Sequence, residues 1–198
     1  MVKAIVVEGT SPIQVVWIGL IVAAKFALPL LIIRFPFAAG WASFFLDGFD
    51  GDLLIPLGLP NEVYQPLDKV IDWVTYVAIV VVAYRNQWPI RRLMLGLFLF
   101  RSVGQVSFLV TENELFLALF PNFLEPLFLV TASILAWERV VRHFPDWQER
   151  GFALLVRHKW LIGTLIVMYK LQDEYITHVG NIDRSEVLDQ LLDRLSGG

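Results

Sequence analysis

The sequence predicts an all-α membrane protein, a polytopic bundle of about six transmembrane helices in one domain of residues 1–198. Hydrophobic residues make up 57% of the chain and charged residues 18%, whereas soluble domains hold about 45–50% apolar and about 25% charged residues. The apolar residues also occur in runs close to the roughly 20 residues that a helix needs to cross a bilayer. The lipid bilayer is therefore the first expected partner.

Three of the predicted spans lie in the first half of the chain. Residues 13–34 follow Pro12 and form an apolar run that is too long for the hydrophobic region of a cleavable signal peptide. Residues 36–53 form a shorter second segment, which crosses the membrane fully or in part. The prolines and glycine of residues 55–66 predict a loop. Residues 68–85 then form the third span.

Three further spans are predicted in the second half, at 90–110, 114–137 and 152–177. Pro121 and Pro126 interrupt the fifth of these, which predicts a broken or kinked helix. Backbone carbonyls freed at membrane depth are tolerated only inside protein or beside a water-filled cavity. After the sixth span, residues 184–196 predict a short amphipathic helix that docks on the bundle or on the membrane surface.

Basic residues cluster at one end of the predicted bundle. That end carries Arg34, Arg85, Arg91, Arg92, Arg139, Arg142, Arg150, Arg157 and Lys159. Loops rich in lysine and arginine face the cytoplasm, so this end is expected to be cytoplasmic in a multi-pass protein of the cell (inner) membrane. The acidic loop after the second span, and both termini, are expected on the non-cytoplasmic side.

Four aspartates lie where the second predicted span ends and the third begins. Asp47 and Asp50 are three positions apart, and Asp68 and Asp72 are four apart, so each pair shares one helix face. Carboxylates gathered at one point repel one another unless a cation or protons neutralise them. Mg²⁺ and Ca²⁺ prefer such oxygen ligands. We therefore expect a divalent-cation site here, the alternative being a solvated acidic loop.

The same positions resemble the signature of the CDP-alcohol phosphotransferase family. Asp47, Asp50, Gly51, Asp68 and Asp72 match its aspartates and its first glycine in spacing. The resemblance implies a six-helix fold in which the first three aspartates hold two metal ions. It also implies that Asp72 is the catalytic base that activates the alcohol, and that Gly51 allows a close approach of the substrate.

The chain departs from that signature at three positions. Leu54, Ile55 and Tyr64 stand where the family has alanine, arginine and a second glycine. The small residues of the family leave room for the cytidine nucleotide, and Leu54 and Tyr64 would crowd it. A divergent lipid enzyme and a related fold with lost or changed chemistry are therefore both alternatives, and whether the chain is an enzyme stays open.

Ionisable and polar residues inside the predicted spans form a second group of candidates. Such residues are rare in membranes, face the bundle interior, and mark ion pathways or internal ion pairs. We expect Arg101 to pair with Glu125 or with Asp173. The whole expected buried polar network comprises Lys25, Arg101, Gln105, Glu125, Asp173 and Glu174.

Other classes of function lack support in the sequence. The chain has no cysteine, which excludes disulfides, thiolate metal sites and cysteine nucleophiles. No basic tract indicates nucleic acid, and no further cofactor-binding motif occurs. The leading hypothesis is an integral membrane protein that handles an ion or a small cation, or that serves as a subunit of a homo-oligomer or larger membrane complex. The competing hypothesis is the metal-dependent lipid enzyme.

Overall fold

The computed structural model of the chain describes residues 10–113, 115–141 and 157–178, and no strand occurs within these ranges. Their seven helices confirm the predicted all-α class. In chain order the helices are α1 (Pro12–Ile32), α2 (Pro36–Leu54), α3 (Asn61–Arg85), α4 (Arg91–Thr111), α5 (Leu115–Leu119), α6 (Leu124–Val141) and α7 (Lys159–His178). The tail helix expected at 184–196 lies outside the described residues.

Helix α1 begins at a complete capping box. The Ser11 hydroxyl accepts a hydrogen bond from the backbone N–H of Gln14, and the Gln14 side chain accepts one from the backbone N–H of Ser11. Pro12 is the first helical residue, where the missing N–H costs nothing because the first N–H groups of a helix have no partner. These local signals explain why α1 starts where the sequence predicts it.

Helix α3 starts earlier than the sequence predicts. Residues 55–66 were expected to form a loop, yet the helix begins at Asn61 and continues through Pro66. Pro66 lies in the second turn, where it removes a single intrahelical hydrogen bond. The turn that remains between α2 and α3 is therefore short, and it holds the aspartates of the two helices close together.

The fifth predicted segment is two helices separated by a break. Helix α5 ends at Leu119 and α6 begins at Leu124, so the chain is non-helical around Pro121. Pro126 does not break α6, because it lies in the first turn, where a proline is tolerated. The sequence therefore predicted the interruption at Pro121 correctly, whereas the interruption expected at Pro126 does not occur.

Two of the described helices, α1 and α4, are long and apolar enough to cross a bilayer, rather than about six. Helix α2 has the length but carries Asp47, Asp50 and Asp52. The apolar part of α6, Leu124–Trp137, is shorter than a full span. Charged groups and helix breaks thus reduce the number of helices that meet both conditions.

Four of the described helices, α1, α2, α4 and α6, pack against α3. Helix α1 contacts α2 and α3, α4 contacts α3, α5 and α6, and α6 also contacts α2 and α3. A Cβ atom on Gly40 of α2 would lie 2.7 Å from Phe128 Cε1 of α6, so these two helices approach closely. The Phe128 ring stacks on Trp88 with centroids 5.7 Å apart. This packing brings the first turn of α6 towards the acidic ends of α2 and α3.

Many large apolar side chains of the bundle are exposed, and several charged side chains are buried. On α4, 57% of Val106 and 78% of Val110 are exposed, while Arg101 on the same helix is 4% exposed. On α1, 55% of Leu20 is exposed and Lys25 is buried. Soluble domains rarely expose contiguous apolar surface of this kind, and their charged residues are seldom buried. The bundle therefore presents much apolar surface and encloses a group of charged side chains beside an apolar core.

Candidate cation site between α1, α2, α3 and α6

The ammonium group of Lys25 lies among three aspartates, which we call the aspartate triad: Asp47, Asp50 and Asp68. The Lys25 Nζ atom is 3.2 Å from Asp47 Oδ1 and 2.6 Å from Asp68 Oδ1, and it also forms an ion pair with Asp50 Oδ2. The side chains of Lys25 and Asp50 are 4% and 0% exposed. A lysine ammonium has three N–H donors, so the triad matches them one for one.

Three helices contribute to this arrangement. Lys25 comes from the second half of α1, Asp47 and Asp50 from one face of α2, and Asp68 from the start of α3. The Tyr64 hydroxyl donates a hydrogen bond to Asp50 Oδ1 at 3.1 Å. Asp50 therefore receives one hydrogen bond on each carboxylate oxygen, which offsets the cost of burying its charge.

A second lysine extends the ion pairs along α3. The Lys69 Nζ atom is 2.7 Å from Asp68 Oδ2 and 3.5 Å from Asp72 Oδ2. Asp68 is thus shared between Lys25 and Lys69, and Asp72 has the longest ion-pair distance of the group. Four aspartates face two lysines, so two carboxylates are in excess. An excess of buried negative charge favours an additional cation or protons.

A small cavity lies beside the triad. Its volume is about 10 Å³, close to what one water molecule requires. The half-buried side chain of Asp47 belongs both to the triad and to the cavity wall. The lining side chains that carry oxygen are Ser43, Asp47, Asp72, Thr75, Tyr76 and Glu125. The cavity is therefore rich in the ligand atoms that hard cations prefer.

Glu125 joins the cavity to a hydrogen-bonded network at the start of α6. Its carboxylate accepts a hydrogen bond from Asn122 Nδ2 at 3.1 Å, and its backbone N–H donates to Asn122 Oδ1 at 3.2 Å. Asn122 Nδ2 also donates to the Tyr76 hydroxyl at 2.9 Å. Asn122 thereby orients two cavity-lining groups, one from α3 and one from α6.

Arg101 binds the broken fifth segment. Its Nη1 atom donates to the carbonyl oxygens of Leu117 and Phe120, at 2.9 and 2.8 Å. Leu117 belongs to α5 and Phe120 directly follows it, where intrahelical donors run out. Among the described ion pairs, none joins Arg101 to Glu125. The expected pairing with Asp173 falls outside the described side chains.

The remaining candidates of the polar network lie at different places. Gln105 is 2% exposed, and its Nε2 atom is 3.5 Å from the Lys69 carbonyl oxygen. Asp173 and Glu174 belong to α7, but their side chains lie outside the described part of the chain. The predicted network is thus divided between the Lys25 cluster and the contacts of Arg101 and Glu125.

Several residues of the site had no part in the sequence prediction. Lys69 is adjacent to Asp68, and Tyr76 is four residues after Asp72 on the same helix face, so both could have been proposed from spacing. Asn122 follows the helix-breaking Pro121, where capping residues are common. No local sequence pattern indicated that Lys25 would pair with the aspartate triad, because its partners are 22 to 43 positions away.

The triad has suitable spacing for a metal ion but is already filled. One carboxylate oxygen from each of its aspartates lies within 4.8 Å of the others. The Lys25 ammonium group lies between them, in the space that a metal would take. The residues present therefore do not fit a metal at the triad, although the resemblance implies one.

The space that a nucleotide would need is also filled. A Cβ atom on Gly51 would lie 3.1 Å from the Tyr64 hydroxyl oxygen, so that side chain covers the glycine. Leu54, one turn later, is 1% exposed. Of the three departures from the family signature, Tyr64 thus packs against the glycine that the resemblance assigns to substrate approach, Leu54 is buried and Ile55 is exposed.

No family model, curated protein or solved structure matches the chain. The likeness to the CDP-alcohol phosphotransferase signature stays a prediction based on aspartate spacing. The described residues define an all-α bundle whose ionic cluster and adjoining cavity lie inside an apolar exterior.

Proposed function

We propose that the chain is a polytopic membrane protein whose whole bundle lies in the bilayer. Only 22% of the residues in the most apolar 18-residue stretch of α1, and 28% of those in the corresponding stretch of α4, are buried. The core helices of a soluble protein would be mostly buried, so this exposure favours a membrane location. Helices α2, α3, α5 and α6 pack against one or both of these two. Helix α7 packs against α5 and also exposes large apolar residues, among them Trp160 and Met168. Inward-facing charges in membranes mark functional sites.

The site in this bundle binds a small cation in the cavity beside the triad. The observation that carries the proposal is the cavity wall, where six oxygen-bearing side chains line the space of one water molecule beside Lys25, Leu46 and Ile71. Ca²⁺ takes six to eight oxygen ligands in flexible geometry, whereas Mg²⁺ dehydrates reluctantly. Ca²⁺ is therefore the divalent ion that the cavity suits best, and three of the lining side chains are carboxylates, those of Asp47, Asp72 and Glu125.

Calcium-dependent stabilisation of the purified full-length chain tests this proposal. Ca²⁺ should raise the melting temperature of the wild type by several degrees, because a ligand at 100 times its Kd stabilises a protein by about 2.7 kcal/mol. The shift should disappear in Glu125→Gln and Asp72→Asn. Asp52→Asn is the matched control, since Asp52 is exposed on the same acidic stretch. An equal shift in Glu125→Gln, or none in the wild type, would reject the cavity as the site.

The basic end of the bundle faces the cytoplasm in this proposal. Arg34 lies between α1 and α2, and Arg85 and Arg91 flank the turn between α3 and α4, at the opposite ends of α2 and α3 from the aspartates. Because the chain has no cysteine, single cysteines report topology without background. Asp52→Cys should react with a membrane-impermeant maleimide on intact cells, and Asn86→Cys only after permeabilisation. The reverse pattern would invert the orientation.

The chain could handle an ion by itself or serve as a subunit of a larger complex, and the two roles predict different uses of its exposed apolar face. As a subunit, the chain would bury part of its exposed apolar face against copies of itself or other membrane proteins. Size determination in nanodiscs, combined with flux of the bound ion into vesicles, separates the two roles. A monomer that conducts no ion would remove support from both.

A divergent CDP-alcohol phosphotransferase-like enzyme is the second candidate. Its support is the spacing of Asp47, Asp50 and Asp68, which approach within 4.8 Å of one another, and it requires the Lys25 ammonium group to leave the space between them. Transfer of a phosphoalcohol group from a CDP-alcohol to a lipid alcohol with release of CMP, abolished by Asp72→Asn, would establish it. Absence of turnover with Mg²⁺ or Mn²⁺ in the wild type would reject the enzyme, and cation binding would be the remaining candidate function.

A further inference from the structure

The aspartate triad is occupied by part of the chain itself. Lys25 offers three N–H donors, and each finds a carboxylate on a different aspartate. The Lys25 and Asp50 side chains are almost fully enclosed, and Asp68 is 10% exposed. An ion pair buried to this degree is stable only with such complete geometry, because each charge costs several kcal/mol to remove from water.

We propose that Lys25 is a tethered cation that fills the triad in place of a metal ion, and that replacing Lys25 by an uncharged residue turns the triad into a divalent-cation site. A metal entering the wild-type triad would have to displace the ammonium group. Lys25 lies in α1, whose neighbouring side chains on the other faces are exposed and apolar, such as Phe26 and Leu30. A displaced ammonium group would therefore lose its partners inside an apolar environment.

The tether also explains why the cavity, and not the triad, is left for an external ion. Asp50 and Asp68 are absent from the cavity wall, and Lys25 neutralises them. Asp72 and Glu125 line the cavity, as Lys25 also does, but no described ion pair joins either of them to Lys25. Asp47 belongs to both groups. The two sites thus have separate diagnostic residues, Asp50 for the triad and Glu125 for the cavity.

Binding of Mn²⁺, measured by its electron paramagnetic resonance signal on the full chain in nanodiscs, tests the inference. Lys25→Met should gain one Mn²⁺ site that the wild type lacks, and Asp50→Asn in the Lys25→Met background should weaken that site at least tenfold. Lys69→Met is the matched control within the cluster and should gain no site, because Lys25 stays in place. Mn²⁺ binding that depends on Asp50 in the wild type would overturn the proposal, as would a folded Lys25→Met that gains no site.

A measurement on the wild type keeps the proposal testable where Lys25→Met fails to fold. Acetylation by an amine-reactive ester, followed by mass spectrometry, should modify Lys25 at least tenfold more slowly than the exposed Lys159. Excess CaCl₂ should leave the slow rate unchanged, because the ion does not displace the ammonium group. A calcium-induced rise of Lys25 labelling towards the Lys159 rate would refute the tethered cation.

The outcomes separate this inference from the cavity proposal. Calcium stabilisation that depends on Glu125 but not on Asp50 supports the cavity whatever Lys25→Met does. A new Mn²⁺ site that depends on Asp50 but not on Glu125 supports the tethered cation even where the wild type binds no ion. Each proposal therefore stands or falls on its own diagnostic variant.

Discussion

The Lys25 ammonium group lies 2.6 Å from the Asp68 carboxylate, although the two residues are 43 positions apart in the chain. The contact joins α1 to the start of α3, and the pairs with Asp47 and Asp50 join it to α2. A single side chain thus connects three helices inside an apolar bundle. Because the alternative environment for Lys25 is apolar, this cluster should contribute to stability as well as to ion recognition.

Replacing Lys25 by methionine should destabilise the protein strongly. The substitution keeps much of the volume but leaves Asp50 and Asp68 buried without their shared cation, and breaking a buried ion pair costs about 3–5 kcal/mol. Equilibrium unfolding in mixed micelles without divalent ions measures the loss. Lys159→Met, at an exposed position, should change stability by less than about 0.5 kcal/mol. Equal stability of the two variants would show that Lys25 is not the neutralising charge.

Removing the Tyr64 hydroxyl should weaken the same cluster by a smaller amount. Tyr64→Phe deletes the hydrogen bond to Asp50 Oδ1, and hydrogen bonds to charged groups contribute about 1.5–3 kcal/mol. The unfolding midpoint in micelles should fall by the corresponding amount. Tyr84→Phe, on the same helix but 38% exposed, is the control and should have little effect. A Tyr64→Phe variant as stable as the wild type would argue against this hydrogen bond.

Two glycines of α4 should respond oppositely to alanine. A Cβ atom on Gly104 would lie 2.5 Å from Phe120 Cβ and 3.0 Å from the Phe116 carbonyl oxygen, so the α5 segment must shift. Overpacking of this kind costs about 1–3 kcal/mol. A Cβ atom on Gly96 would meet nothing within 4 Å, so Gly96→Ala should be neutral or slightly stabilising. Thermal unfolding of both variants decides, and equal destabilisation would contradict the close contact of α4 with α5.

Loss of the Arg101 guanidinium should open the broken fifth segment. Arg101→Met removes two hydrogen bonds to the carbonyls of Leu117 and Phe120, and an unsatisfied buried acceptor costs about 1–3 kcal/mol. Hydrogen exchange of residues 115–124 should accelerate more than that of α1. Arg101→Lys should restore part of the protection, because an ammonium group can reach one carbonyl. Uniform acceleration across all helices would instead indicate global destabilisation.

The acidic cluster could be predicted because its signal is local. Asp47 and Asp50 share a face by their spacing, and Asp68 and Asp72 do so on the next helix. The interruption at Pro121 was equally visible. The helical state of residues 61–66 was missed because Pro66 suggests a loop, whereas α3 accommodates this proline in its second turn. Residue spacing and helix-breaking residues therefore predicted the aspartates of the site correctly but placed the start of α3 too late.

By itself the sequence determined the helical class, the abundance of apolar surface and the grouping of carboxylates at one end of two neighbouring segments. Those properties follow from composition and from spacing along a single helix. Only the tertiary structure decided that Lys25 fills the triad, that Arg101 binds carbonyls, and that Glu125 joins Asp72 around one cavity. These contacts link residues on different helices, and ionic pairing across such separations depends on how the helices pack rather than on any periodicity within one of them.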